Sequence, residues 1–229
     1  MKIGKLFKYD AISKFPNVIE HSFKGQYVDA HDALAPSLPN NIFEKEQPII
    51  LELGCGKGHY TIHLAKSNPQ KNVVGVDIKG ARLFHGASLA LRDNVKNLVF
   101  LRIPIEHLES YFSSYFQAGK IAEIWINFPD PRSNCNSSAL KRLTSPKFLQ
   151  VYKNIIQNDT ILHLKTDSIN MYNYTIATLN LNEDWHIIEA TDDLYANINL
   201  CPASEFQTEY EKRYLHLGEK IKYVRFKLR

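Results

Sequence analysis

Ile49-Ile50-Leu51-Glu52-Leu53-Gly54-Cys55-Gly56-Lys57-Gly58 is the stretch on which the reading of this chain turns. Its first five residues form a short apolar run, the pattern of a buried strand, and Gly54 closes it. Glycines at 54, 56 and 58 let the backbone turn sharply and come close to a ligand. Residues 59–67 then read as helix. The pattern is strand, glycine turn, helix.

The same alternation continues outward. Asn72-Val73-Val74-Gly75-Val76-Asp77 is a second strand, with an acid at its end. Residues 79–92 set Ala81, Leu83, Phe84, Ala87 and Leu91 at helical spacing, and Leu98–Leu101 is a third strand. Ile105, Leu108, Tyr111 and Phe112 suggest a helix, and Ile121–Asn127 is a fourth strand. Further elements follow: a helix at 145–157, a strand at 160–165, a helix at 169–180 and a strand at 185–189. The last run, 221–228, alternates apolar and basic residues as a half-exposed strand would. Strands alternating with helices predict an α/β fold, a mostly parallel central sheet with helices on both faces. No linker divides residues 48–229, which are read as one domain. Residues 1–47 lack clean periodicity and are read as an arm or cap, basic at Lys2, Lys5, Lys8 and Lys14.

Composition narrows the function. With 44% hydrophobic and 23% charged residues in 229, disorder, collagen and coiled coil are excluded for the chain as a whole. Lys+Arg 28 against Asp+Glu 24 gives +4, a mild excess that permits a nucleic-acid partner without requiring one. Cys55, Cys135 and Cys201 are isolated and odd in number, against a disulfide framework or a cysteine zinc site. No apolar run backs the N-terminal lysines, and none approaches the roughly 18 residues of a membrane span. The expectation is a cytoplasmic protein away from membranes. His59 and His63 share a helix face, but no Glu follows His59 and no third ligand is evident, so no metal is expected.

The glycine turn reads G-x-G-x-G, not the G-x-G-x-x-G of dinucleotide folds. Glu52 precedes it, and Asp77 stands where an acid can accept from both ribose hydroxyls of a nucleoside cofactor. A dinucleotide brings an anionic pyrophosphate to the helix start. S-adenosylmethionine brings an ammonium and a sulfonium instead, which acids suit better. The turn thus resembles that of Rossmann-like S-adenosylmethionine-dependent methyltransferases; a nicotinamide enzyme with an aberrant loop is the alternative on this segment alone. Asn127-Phe128-Pro129-Asp130-Pro131 is more specific, because two prolines fix a carboxylate just beyond an apolar strand.

With that segment the chain resembles the tRNA (guanine-N7)-methyltransferases of bacterial type. The resemblance is carried in order by Glu52 to Gly58, Gly75 to Arg82, Asn127 to Pro131, Lys141-Arg142-Leu143-Thr144, His163-Leu164-Lys165-Thr166-Asp167 and Thr208-Glu209-Tyr210-Glu211. Two positions depart from the family pattern: Asn134 stands at a usual lysine, and Pro104 stands near a usual cofactor-contacting acid. The resemblance implies transfer of a methyl group from S-adenosylmethionine to guanine N7 of tRNA, at the variable-loop guanosine. It implies tRNA as partner and no obligate protein partner.

Guanine N7 carries a lone pair and no proton, so attack on a sulfonium methyl needs no general base. Alignment and a favourable field suffice. Asp130 is the candidate catalytic residue, favouring the positive charge that develops on guanine. Candidate cofactor-binding residues are Glu52, Gly54, Gly56, Asp77, Pro104, Ile105, Glu106 and Asp130. Candidate substrate-binding residues are Asn134, Asp167, Thr208, Glu209, Tyr210 and Glu211. Asp167 can accept from guanine N1 and N2, or cap the helix at 169–180. Thr208–Glu211 can meet the base, or form a capping box. RNA contact is expected from basic residues in 131–147 and 212–229. Alternatives are a methyltransferase of another RNA or a small molecule, and a non-catalytic RNA-binding relative.

Overall fold

A computed structural model describes residues 4–20, 43, 45, 47–114, 121–132, 136–196 and 202–229. The chain divides into two compact units, Met1–Lys120 and Ile121–Arg229.

The first unit contains α1 (Lys5–Ile12), β1 (Val18–Glu20), β2 (Ile49–Leu53), α2 (His59–Ser67), β3 (Asn72–Val76), α3 (Gly80–Arg92), β4 (Leu98–Arg102) and α4 (Leu108–Ser114). Its four strands pair in parallel in the order β1-β4-β3-β2. Every residue of β2 and β3 is buried. That explains their mostly apolar runs, since a strand covered on both faces has no polar side to alternate with.

Residues 1–47, read from sequence as irregular, contain a helix and a strand. Val18–Glu20 pairs with Phe100–Arg102 at the edge of this sheet. Neither element is long enough to print a period: α1 is amphipathic only weakly, and β1 has three residues. Tertiary contacts hold them. Phe15 stacks on Phe84 of α3 at 5.6 Å, and Arg102 covers the Tyr9 ring at 4.6 Å while pairing with Glu20 at 2.7 Å.

Two glycines set how closely the helices approach the turn after β2. Gly58 has φ +70°, and a Cβ there would lie 2.7 Å from the Phe100 ring. A Cβ on Gly86 of α3 would lie 2.7 Å from the Lys57 carbonyl oxygen. Both contacts are shorter than any real Cβ tolerates, so only glycine lets α2 and α3 close onto the turn.

The second unit contains β5 (Ile121–Asn127), α5 (Pro146–Lys153), β6 (Ile161–Thr166), α6 (Ile169–Asn180), β7 (Trp185–Thr191), α7 (Glu209–His216) and β8 (Lys222–Leu228). β5 and β6 are parallel; β8 runs antiparallel between β6 and β7. The expectation of a half-exposed last strand is corrected here. Tyr223, Val224 and Phe226 are fully buried. The basic residues that suggested a solvent face are absorbed: Lys222 donates to the Asp167 and Lys220 carbonyls at 2.9 and 2.8 Å, and Arg225 pairs with Glu189 at 3.3 Å. The exposed alternation belongs to β7 instead. Across the middle of this sheet Trp125 stacks on His163 at 3.9 Å, and His163 Nδ1 shares a 2.7 Å hydrogen bond with the Tyr223 hydroxyl.

Candidate active site

The carboxyl ends of β2 and β3 gather four of the expected residues. Gly54 (φ +73°) and Gly56 (φ +57°) both adopt the left-handed conformation that favours glycine. The N–H groups of Gly54 and Cys55 donate to the Val76 carbonyl at 2.8 and 3.0 Å, so the turn after β2 is fastened to the end of β3. Asp77 completes the fastening. Its Oδ2 accepts from Gly56 N–H at 2.9 Å and its Oδ1 from Lys79 N–H at 2.7 Å. A carboxylate has about four lone-pair sites, so each oxygen keeps one for a ligand hydroxyl. Glu52 is buried at the end of β2 and accepts from the Thr61 hydroxyl at 2.5 Å.

Cys55 lies between these acids. Burial first, and then the charges of Glu52 and Asp77, push its thiol well above the ordinary range. The turn is therefore acidic in field although it contains no acid between Gly54 and Gly58. Most of its N–H groups are also committed: Gly54 and Cys55 donate to Val76, Gly58 to Cys55, and Gly56 to Asp77. Within the turn, the set of carboxylates fits a ribose-bearing, cationic ligand.

Pro104, Ile105 and Glu106 follow β4, where Ile105–His107 forms a single 3-10 turn. Pro104 and Ile105 are half-buried and Glu106 is exposed.

In the second unit, Asp130 follows β5 within a turn bracketed by two non-glycine residues in the left-handed region, Phe128 (φ +48°) and Arg132 (φ +49°). An aromatic residue there is an outlier, and such outliers cost about 1–3 kcal/mol each. Asp130 is exposed; its Oδ1 accepts from Arg132 N–H at 3.1 Å, and its Oδ2 lies 3.4 Å from Arg132 Nε. Arg142 holds the same turn, donating to the Pro131 carbonyl at 2.8 Å while covering the Tyr174 ring at 4.4 Å. Asn134 lies outside the described residues.

Asp167 and Tyr210 are brought together, the Tyr210 hydroxyl donating to Asp167 Oδ2 at 3.2 Å. The Tyr210 ring stacks on Tyr214 at 4.5 Å and leans on Phe128 at 5.1 Å. Burial first, then the Tyr214 hydrogen bond and the Asp167 charge, raise the Tyr210 hydroxyl above its ordinary pKa. Asp167 is not a helix cap: Ser168 caps α6, its side chain accepting from Met171 N–H.

Thr208 and Glu211 do form the capping box of α7. Glu211 is fully buried, and its carboxylate accepts from Lys165 at 2.7 Å and from the Tyr195 hydroxyl at 2.6 Å. Lys165 is equally buried and also donates to the Ala203 and Phe206 carbonyls at 2.8 and 3.3 Å. Glu209 is exposed at the first turn of α7 and pairs with Lys212 at 2.9 Å. Sequence reading missed Thr61, whose hydroxyl meets Glu52, and Tyr195, which has no neighbouring motif to mark it. Among the described residues no group of three or more His, Cys, Asp or Glu is placed to hold a metal ion, and no helix is long and apolar enough to cross a membrane.

Comparison with known proteins supplies the family. A family model described as "Putative methyltransferase" matches residues 46–224. The tRNA (guanine-N(7)-)-methyltransferase of Christiangramia forsetii is 42% identical over 227 residues, covering 99% of this chain and 98% of that protein. The Porphyromonas gingivalis protein of the same name is 40% identical, over 93% of this chain and 85% of its own. Among solved structures, the 16S rRNA methyltransferase KamB superposes with a TM-score of 0.56 at 13% identity, covering 80% of this chain and 88% of that one. A 16S rRNA (adenine(1408)-N(1))-methyltransferase variant with cosubstrate SAM gives 0.50 at 16% identity, over 79% and 85%. The structural likeness shows a Rossmann-like methyltransferase fold.

Proposed function

The chain belongs to the tRNA (guanine-N7)-methyltransferases, and from that membership we propose that it methylates N7 of the variable-loop guanosine of tRNA in the cytoplasm, with S-adenosylmethionine as donor and without a metal. The observation that carries this reading is the glycine turn closed by Asp77. Its Gly56 amide donates to Asp77, and its surroundings favour positive charge.

Bound S-adenosylmethionine supplies an electrophilic methyl on a positively charged sulfur. Gly54 and Gly56 leave room for its close approach, with Pro104, Ile105 and Glu106 bordering the adenine. Asp77 accepts from the ribose hydroxyls through the lone pairs left free by Gly56 and Lys79. Glu52, fixed by Thr61, sets a negative field for the ammonium end. No residue removes a proton from N7, because none is there. Asp130 favours the cation that forms on the guanine ring, and it grips the base or the donor ammonium. Asp167 accepts from guanine N1–H and N2–H, which take the place of the Tyr210 hydroxyl that now donates to it. Tyr210, Thr208 and Glu209 border the base. Glu211 holds that border from within through Lys165, and Asn134 stands with the substrate loop.

The test is methyl transfer to an unmodified tRNA transcript, with 7-methylguanosine read by mass spectrometry. The protein forms it, and Asp130→Ala lowers the rate by at least about 100-fold with an unchanged circular dichroism spectrum. A folded Asp130→Ala protein as active as wild type removes the role of Asp130. Absence of 7-methylguanosine from the wild-type reaction removes the reading itself.

A further inference from the structure

Many basic side chains of this protein are answered by carboxylates. In residues 121–229, Lys153 pairs with Asp184 at 2.7 Å, Lys165 with Glu211 at 2.7 Å, Lys220 with Asp193 at 3.4 Å and Arg225 with Glu189 at 3.3 Å. In the C-terminal basic run, Lys220 and Arg225 pair with acids and Lys222 donates to two carbonyls.

One cluster in residues 1–120 has no such answer. Lys8 Nζ of α1 lies 2.8 Å from His85 Nε2 of α3. The charged groups acting on His85 are Lys8, Lys57 and His59, all of them basic. Among the described residues no carboxylate pairs with any of the four. Among the described acids of this unit, Asp10 pairs with Lys14, Glu20 with Arg102 and Asp93 with Lys66 and Arg92, while Asp77 accepts from Gly56 and Lys79 and Glu52 from Thr61. Lys57, His59 and His85 are exposed, and Lys8 is half-buried.

Packing forces this convergence. Gly86 lets α3 approach the Lys57 carbonyl, which sets His85 beside the glycine turn. The stacking of Phe15 on Phe84 brings α1 alongside. His59 opens α2 two residues after Lys57. Burial first, and then its basic neighbours, lower the His85 pKa, so the ring accepts the Lys8 ammonium as a neutral imidazole at neutral pH. Packing brings the Lys8 and Lys57 ammoniums to one imidazole, and an anion among these groups relieves the repulsion between them.

We propose that Lys8, Lys57, His59 and His85 form a clasp for backbone phosphates of RNA at the rim of the glycine turn. The proposal rests on the tRNA reading above and adds a contact surface to it. Such a clasp reads no sequence; it sets the register and orientation of the RNA. His85 gains a second role when occupied: on taking up a proton it donates to phosphate where it previously accepted from Lys8.

The experiment measures binding of an unmodified tRNA transcript, without donor, across a salt series. Two variants are used, Lys8→Ala/His85→Gln and His85→Glu, and uptake of S-adenosylmethionine by each, measured calorimetrically, establishes that it is folded. The double variant should bind about tenfold more weakly near 0.1 M salt, and its dependence of log K on log salt should be shallower by about one to two. His85→Glu should bind more weakly still. In steady-state methylation both should raise KM for tRNA and leave kcat unaltered. Affinity and salt slope equal to wild type in both variants overturn the clasp. If the wild type itself neither binds nor methylates tRNA, the functional reading fails; if it methylates tRNA while the variants bind normally, only the clasp fails.

Discussion

Residues 1–120 and 121–229 hold their strand ends by opposite means. In the first, acids are fastened by backbone amides: Asp77 accepts from Gly56 and Lys79, and the turn hangs from the Val76 carbonyl. The requirement there is for absent side chains, as at Gly58 and Gly86. In the second, the fastening is made by side chains. Lys165 and Glu211, both wholly buried, tie the end of β6 to α7 and to two carbonyls of the segment before it. A rim built on backbone amides tolerates little added volume. A rim built on a buried ion pair tolerates little loss of charge.

Loss of charge in the second unit should have the largest effect. Lys165→Met strands the Glu211 carboxylate in the interior, and urea unfolding should show a loss of about 3–5 kcal/mol. Lys165→Met/Glu211→Gln should recover much of it, since no charge is then left unpaired. If the single variant loses under 1 kcal/mol, the comparison between the two rims is broken.

Added volume should separate the units next. Gly58→Ala combines a left-handed backbone with a Cβ 2.7 Å from Phe100, and should cost about 2–4 kcal/mol. Gly218 has φ +81° but open space around its Cβ position. Gly218→Ala should cost only the backbone penalty, about 1–2 kcal/mol. Equal losses in thermal unfolding would show that backbone conformation, not closeness of packing, governs both turns.

The smallest effect sharpens the picture at Tyr210. Its hydroxyl has a folded-state pKa above that of the unfolded chain, chiefly through burial. The neutral form is therefore favoured by folding. That stability is fully present below about pH 10 and is lost as pH climbs through the raised value, because the unfolded state releases its proton first. Tyr210→Phe cannot release one. Its stability between pH 9 and pH 11, as approximate bounds, should fall less steeply than that of wild type, and superimposable curves would show that the fold does not hold the Tyr210 hydroxyl neutral.

Much of this architecture was legible in the letters. β2 to β6 lie within a residue or two of the runs that marked them, because largely buried parallel strands print runs rich in Ile, Leu and Val. The helix read at 145–157 is shorter, Pro146–Lys153, with proline at its first turn. α1 and β1 were illegible because they are held by α3 and β4 and have little pattern of their own. At the site, Asp77 stood out as an acid ending an apolar strand. Glu211 did not declare its burial, since Thr208-Glu209-Tyr210-Glu211 reads the same with Glu211 at a surface cap or inside the core. What decides is Lys165, and no local pattern couples two residues so far apart in the chain.

The position of β8 carries a consequence for how the protein is made. β6 and β7 are synthesised well before Lys222–Leu228, yet each waits for that strand to fill the gap between them. Until Lys222–Leu228 has been made, both have an open edge of unpaired amides and carbonyls, the kind of template that recruits stray strands. A nascent protein halted just short of residue 222 should therefore lean on chaperones, because the strand that both edges pair with is still missing.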